Sequence, residues 1–267
     1  MDVTKALHIS QEIHPYVPAT TMSVLCRDVA QWLQTNGVEV RTFMPKYGCI
    51  NERRNQLHEV IRLSGLNIPI DDNDHPLIIK VAMLQPSRLQ VYCIDNDDFF
   101  HHHASTALEI ENLPEDNDER SIFFSVGVIE TVRKLRWYPE IVHCEGWITA
   151  LCPALIKTKY PDDPAFKNAK VVFSVFGGGF EGELDPRMAE KVEALDIPAD
   201  ALKAITEGPV DFNTLNRLAI DNSDAVVAAT ADANPELLEY ARAQGKPVLD
   251  FPGLDNPQAY ADFYATL

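Results

Sequence analysis

An α/β fold built on a doubly wound, mainly parallel, Rossmann-like sheet is the architecture this sequence predicts, and three features predict it. Short apolar runs recur along the chain, several of them apolar on both faces, as strands in a covered parallel sheet must be. Amphipathic stretches of helical period alternate with these runs. Two further runs, residues 76–84 and 89–94, are split only by QPSR and read as a β-hairpin inserted into the alternation. Ligands of such sheets sit beyond the carboxyl ends of the strands. The segments after Ser10, His143, Phe176 and Ala229 therefore matter most.

The elements follow in order. ALHIS at 6–10 is the first strand, and the loop after it, QEIHPYVPATT, contains no glycine. Thr20, Thr21 or Ser23 supplies an N-cap for a helix over 22–36. On that helix Met22, Leu25, Val29, Trp32 and Leu33 form one stripe, and Gly37 stops it. VEVRTF at 38–43 is the second strand, followed by the hairpin and a helix over about 119–136. Strands EIVH at 140–143, KVVFSVF at 170–176 and DAVVAA at 224–229 alternate with helices at 147–159, 211–222 and 235–244. PVLDF at 247–251 and a helix over 256–266 close the chain. With no internal repeat and no low-complexity linker, residues 1–267 read as a single lobe.

The formal charge of −17, from 40 acidic and 23 basic residues, opposes nucleic-acid phosphates and anionic membranes. No nucleic-acid or membrane partner is expected. The acidic clusters DDND at 71–74, DNDD at 95–98 and EIENLPEDNDE at 109–119 read as solvated loops and caps. They lack the spaced glycine and terminal glutamate of a calcium loop. No apolar run approaches the ~20 residues of a membrane span, and MDVTKALHIS is not built like a signal peptide. Five scattered cysteines without metal-ligand spacing read as reduced thiols, which places the protein in the cytoplasm.

Three loops carry candidate ligand-binding residues. After the first strand, His14 and Tyr16 flank Pro15 and present a ring pair to a sugar. After EIVH come His143, Glu145 and Trp147. A His143–Cys144 nucleophile is excluded, because adjacent strand residues point to opposite faces, and no catalytic residue is assigned. After KVVFSVF comes GGGFEGE, where Gly177, Gly178 and Gly179 let backbone approach a ligand and Glu181 adds a carboxylate. Its spacing is neither a dinucleotide fingerprint nor a P-loop, no lysine follows, and Glu181 and Glu183 repel phosphate. FFHHHAST at 99–106 suggests a metal, but consecutive histidines diverge on any regular element, and no metal is expected.

With the loops placed, the chain resembles the N-terminal catalytic lobe of bacterial glycogen and plant starch synthases, in a short form like that of Bacteroidetes-type bacteria. The stretches that carry the resemblance include ISQEIHPYV at 9–17, NGVEVRTFMPKYGCINERRNQLHEVIRLSG at 36–65 and QVYCIDNDDFF at 90–100. NDERSIFFSVGVIETVRKL at 117–135, YPEIVHCEGWITALCPALIK at 138–157, KVVFSVFGGGFEG at 170–182 and RLAIDNSDAVVAAT at 217–230 complete it. Met44-Pro45-Lys46-Tyr47-Gly48 is its most specific piece. The resemblance implies one lobe of a GT-B fold. It also implies an activity, glucose transfer from ADP-glucose to an α-1,4-glucan with retention of configuration.

Several positions depart from the family pattern. Pro18-Ala19-Thr20-Thr21 stands where the family has K-T-G-G, and His143-Cys144-Glu145-Gly146-Trp147 where it has H-x-H-D-W. Phe176 takes the place of the histidine opening the family's H-N-x-A-Y-Q-G loop. The second lobe, with its Arg and Lys for the diphosphate, is not found. The expectation is therefore a protein that does not transfer glucose alone and binds an α-glucan or a partner. That partner would be a second glycosyltransferase-like chain or another copy of this one. No cofactor is expected, and ADP-glucose, the family's donor, has lost its expected contacts. The alternatives are a synthase subunit completed by another chain, or a small-molecule enzyme or sensor using GGGFEGE.

Overall fold

A computed structural model describes residues 3–101 and 115–267. The acidic and histidine stretches between residues 102 and 114 lie outside the described residues. The strands are β1 (Lys5–Ser10), β2 (Glu39–Pro45), β3 (His58–Glu59), β4 (Leu66–Ile70) and β5 (Asn73–Leu84). They continue with β6 (Leu89–Asp95), β7 (Ile141–Glu145), β8 (Lys170–Val175), β9 (Ala225–Ala228) and β10 (Val248–Leu249). They form one sheet of order β10-β9-β8-β7-β1-β2-β6-β5-β3, with β4 paired to β5. Neighbours from β10 to β6 are parallel, and β5 runs antiparallel to β6, as the hairpin pattern predicts.

Helices cover both faces. The first is α1 (Thr21–Thr35), followed by α2 (Asn117–Leu135). A composite helical run then comprises a tight turn at Trp147–Thr149, α3 (Leu151–Ala154) and a wide turn at Leu155–Lys159. Pro153 sits in the first turn of α3, where its missing N–H costs no helix bond. The remaining helices are α4 (Met188–Glu193), α5 (Lys203–Thr206), α6 (Phe212–Asp221), α7 (Pro235–Ala243) and α8 (Gln258–Tyr264). No helix among the described residues is long and apolar enough to cross a membrane.

The glycine-free loop after β1 ends in a reciprocal cap. The Thr20 hydroxyl accepts the Ser23 N–H at 2.9 Å, and the Ser23 hydroxyl accepts the Thr20 N–H at 2.9 Å. β3, β4, α4 and α5 have no counterpart among the predicted elements. β3 has two residues and β4 carries Pro69, tolerable because β4 pairs only with β5 and lies at an edge. The predicted last strand shrinks to Val248–Leu249 between Pro247 and Pro252, which cannot donate to a ladder.

Register decides which side chains meet. His8 pairs with His143 and Ser10 with Glu145 across β1 and β7, while Glu145 pairs with Ser174 across β7 and β8. These five polar residues therefore share one face of the sheet. α1 and α8 lie on that face, and Tyr264 of α8 reaches His143. Cys144 points to the other face, beside Cys152 of α3, where burial pushes its thiol well up from its ordinary range. Strand order reverses at β1: the chain steps outward from it to β2, and later elements build from β7 on its other side. The loops after β1 and β7 flank this switch point, where open α/β sheets bind ligands.

Candidate functional site

A cavity of about 290 Å³ opens beyond the carboxyl ends of β1, β7, β8 and β9. The β1 loop gives it Gln11, Glu12, Thr20 and Thr21, and the β7 loop gives Gly146 and Trp147. Ser174, Phe176 and Gly177–Gly179 come from the end of β8, and Thr230 and Asp232 from the loop after β9. Met22 of α1 and Phe212 and Asn216 of α6 complete the wall. Four loops from separate parts of the sequence thus converge.

Backbone and side-chain bonds fix the loops. The Gln11 N–H donates to the Glu145 carbonyl at 2.8 Å, tying the β1 loop to β7. The Tyr47 hydroxyl, from the Met44–Gly48 segment, donates to the Gln11 carbonyl at 2.7 Å. The Thr20 hydroxyl donates to the Glu12 carboxylate, so the α1 cap also holds that carboxylate at the cavity. The Gly177 N–H donates to the Thr230 hydroxyl at 3.1 Å, joining the β8 and β9 loops.

The glycines of the β8 loop are required by what packs on them. A Cβ on Gly177 would stand 2.4 Å from the Asp232 carboxylate, and one on Gly179 would stand 2.1 Å from the Phe212 ring. Asp232 therefore packs directly against the loop backbone at Gly177. Two carboxylates, Glu12 and Asp232, line the cavity, and no Lys or Arg does among the described residues. The remaining wall is hydroxyl, amide and aromatic. A neutral, hydroxyl-rich ligand suits such a lining, since carboxylates accept its O–H groups and aromatic faces cover its C–H groups.

Behind the cavity wall lies a buried polar cluster. The Ser10 hydroxyl donates to Glu145 Oε2 at 2.5 Å, and His8 Nδ1 stands 3.4 Å from the same oxygen. His143 Nδ1 is 2.6 Å from the Tyr264 hydroxyl, and its Nε2 is 2.7 Å from the Ser174 hydroxyl. Burial pushes His143 down to about 3, keeping the imidazole neutral, with the His8 ring adding to the effect. Burial alone would raise Glu145, but the facing His8 ring and the Ser10 bond outweigh it and hold the carboxyl at about 2.

The sequence-predicted residues divide into three places. Trp147, Gly177, Gly178 and Gly179 line the cavity. His143 and Glu145 lie behind it in the polar cluster, 0% and 2% exposed. His14, Tyr16 and Glu181 are outside the lining; Tyr16 is buried, and Glu181 faces solvent. The tri-histidine stretch His101–His103 runs into the residues that are not described. Sequence reasoning passed over Glu12, Asp232, Ser174, His8 and Tyr264. Glu12 was visible as the acid nearest the end of β1, whereas His8 sits inside an apolar run and carries no local signal.

Residues 5–246 match the family model of the starch synthase catalytic domain. The chain belongs to that family. A glycogen synthase of Chlorobium luteolum is 33% identical to it over 235 residues, covering 88% of this chain and 47% of that protein. A glycogen synthase of Chlorobium chlorochromatii is 38% identical over 184 residues, 67% of this chain and 37% of that protein. Among solved structures, the catalytic domain of starch synthase IV from Arabidopsis thaliana, bound to ADP and acarbose, superposes with a TM-score of 0.74. At 18% identity it covers 94% of this chain and 51% of its own length, and it matches in fold. This starch-synthase-family chain thus spans about half the length of the relatives it matches. Its cavity sits where the doubly wound fold places ligands.

Proposed function

We propose that this family member binds the non-reducing end of an α-glucan in the switch-point cavity and does not transfer glucose by itself. One observation carries the reading: Glu12 and Asp232 line the cavity, and no cation does among the described residues. Glucose transfer from a nucleotide diphosphate builds negative charge on the leaving group, and fixed positive charge must face it in the transition state. Two carboxylates in a confined, partly desolvated site act the other way, raising the energy of a bound diphosphate. Toward a neutral glucan the same carboxylates are acceptors for hydroxyl groups, and hydrogen bonds to charged acceptors are the stronger kind.

Incubating the purified chain with glycogen and ADP-glucose or UDP-glucose tests the second half of the proposal. No chain extension is expected, and robust extension by the chain alone would overturn it. Calorimetric titration with maltoheptaose tests the first half, with saturable binding that Asp232→Asn weakens. Extension that appears only after a second glycosyltransferase-like polypeptide is added would replace this reading with a two-chain enzyme.

A further inference from the structure

The polar cluster behind the cavity has more chemistry than packing needs. His8, His143 and Glu145 are buried, and each places one ligand atom within 4.8 Å of the others. Two imidazoles and a carboxylate are a donor set suited to zinc and its first-row neighbours. The contacts among them are loose for hydrogen bonds: His8 Nδ1 is 3.4 Å from Glu145 Oε2, and His143 Nδ1 is 4.0 Å from Glu145 Oε1. Zinc bonds of about 2.0–2.2 Å place tetrahedral ligand atoms roughly 3.3–3.6 Å apart. A central cation therefore fits the His8–Glu145 spacing as it stands and draws His143 inward.

A second observation is independent of that spacing. Among the described residues, His8 Nε2 and the Tyr260 hydroxyl are buried with no hydrogen-bond partner. With its other nitrogen 3.4 Å from Glu145, the His8 ring has no contact of ordinary hydrogen-bond length among the described residues. A cation at His8 Nδ1 would give that ring the close contact it lacks, although Nε2 on its other side would still need a partner such as a buried water. The surrounding groups already have the arrangement of an outer shell. Ser174 Oγ orients His143 through Nε2 and Ser10 Oγ holds Glu145, while the Tyr264 hydroxyl, 2.6 Å from His143 Nδ1, would move back to admit the ion there.

We infer that His8, His143 and Glu145 form a buried zinc-class metal site between the switch-point strands and the last helix, with the Tyr264 hydroxyl beside its fourth position. The ion locks α8 onto β1 and β7. Ser174 both lines the cavity and bonds His143, so metal occupancy and the shape of the cavity floor are linked.

The test is direct metal binding by the full chain. Chelator-treated protein is titrated with zinc chloride alone in a calorimeter, and a cobalt-loaded sample is read for its visible absorption. The expected result is one tight equivalent per chain, with intense four-coordinate cobalt bands. Ser174→Ala should weaken zinc by about 10–100-fold, and Glu145→Gln should remove the tight equivalent. A variant with His101, His102 and His103 all changed to Gln should keep it, which excludes the histidine run at 101–103. The absence of a tight equivalent in the native chain overturns the inference, leaving a buried water to join the unpartnered groups. So does binding that the triple histidine variant abolishes. Should Glu145→Gln fail to fold, the native cobalt spectrum decides, because weak six-coordinate bands alone also overturn it.

Discussion

Gly146 stands where the resembling synthases carry the aspartate of H-x-H-D-W, and its surroundings predict what any side chain there must cost. Its backbone, at φ 93° and ψ 157°, lies in a region that only glycine occupies without strain. A Cβ would also meet Gln11 Cβ at 2.7 Å, an atom fixed to the β1 loop backbone that cannot swing aside. The backbone strain is worth about 1–3 kcal/mol, and overpacking against Gln11 adds about 1–3 kcal/mol. Reduced freedom of the unfolded chain returns about 0.4–1 kcal/mol, so Gly146→Ala should cost about 3 kcal/mol. An unfolding entropy of about 2.1 cal/mol/K per residue over 267 residues converts that into a Tm drop of about 5 °C.

Thermal unfolding of Gly146→Ala, Gln11→Gly and the double variant measures this directly. The steric part disappears when Gln11 loses its Cβ, so the pair should couple favourably by about 1–2 kcal/mol. Restoring the family's residue, Gly146→Asp, should destabilise further and bring no glucose transfer. A Gly146→Ala protein that melts within about 1 °C of the native chain, or a double variant with no coupling, would refute the reasoning.

Three further outcomes follow from named contacts. Thr20→Val removes the α1 cap and should lower stability by about 1 kcal/mol, read as a smaller urea midpoint at unchanged slope. Lys191, buried against Asp118, Glu119 and Asp185 at 2.7, 2.8 and 3.1 Å, neutralises an Asp118 that is only 2% exposed. Lys191→Met should cost about 3–5 kcal/mol by leaving that carboxylate uncompensated; a loss below about 1 kcal/mol would contradict it. Burial alone would lower the Lys191 ammonium, but the carboxylates outweigh it and raise it above its ordinary 10.5. On the alkaline side its contribution is thus complete up to pH 10.5 and lost as pH climbs through the raised value. On the acid side it fades as Asp118, which burial pushes above its ordinary 3.8, takes up a proton. Asp232→Asn should weaken maltoheptaose about tenfold, roughly 1.4 kcal/mol, while Tm stays within about 1 °C.

How much of this was legible in the sequence depended on how local each signal is. The seven parallel strands announce themselves as apolar runs, and the split between residues 76–84 and 89–94 marks the hairpin. The rule that ligands sit beyond strand ends pointed to the four loops that converge on the cavity. Short elements such as His58–Glu59 and Lys203–Thr206 hold too few residues for any period to show. The site's character was less legible, because it depends on register and long-range packing. Nothing near GGGFEGE says that Asp232 and Phe212 will press on its glycines from over 30 residues away. Nor does ALHIS reveal that His8 will face His143, since that pairing exists only once β1 and β7 align.

The proposed function requires the switch-point cavity of this synthase-family chain to accept a neutral glucan and refuse the anionic sugar donor. Titrating the isotope-labelled chain with maltoheptaose and, separately, with ADP-glucose while recording amide resonances tests it most directly. Maltoheptaose should shift Gln11, Gly177, Gly178, Gly179 and Asp232 saturably, and ADP-glucose should leave them in place. Saturating shifts of those same resonances by ADP-glucose would contradict the account.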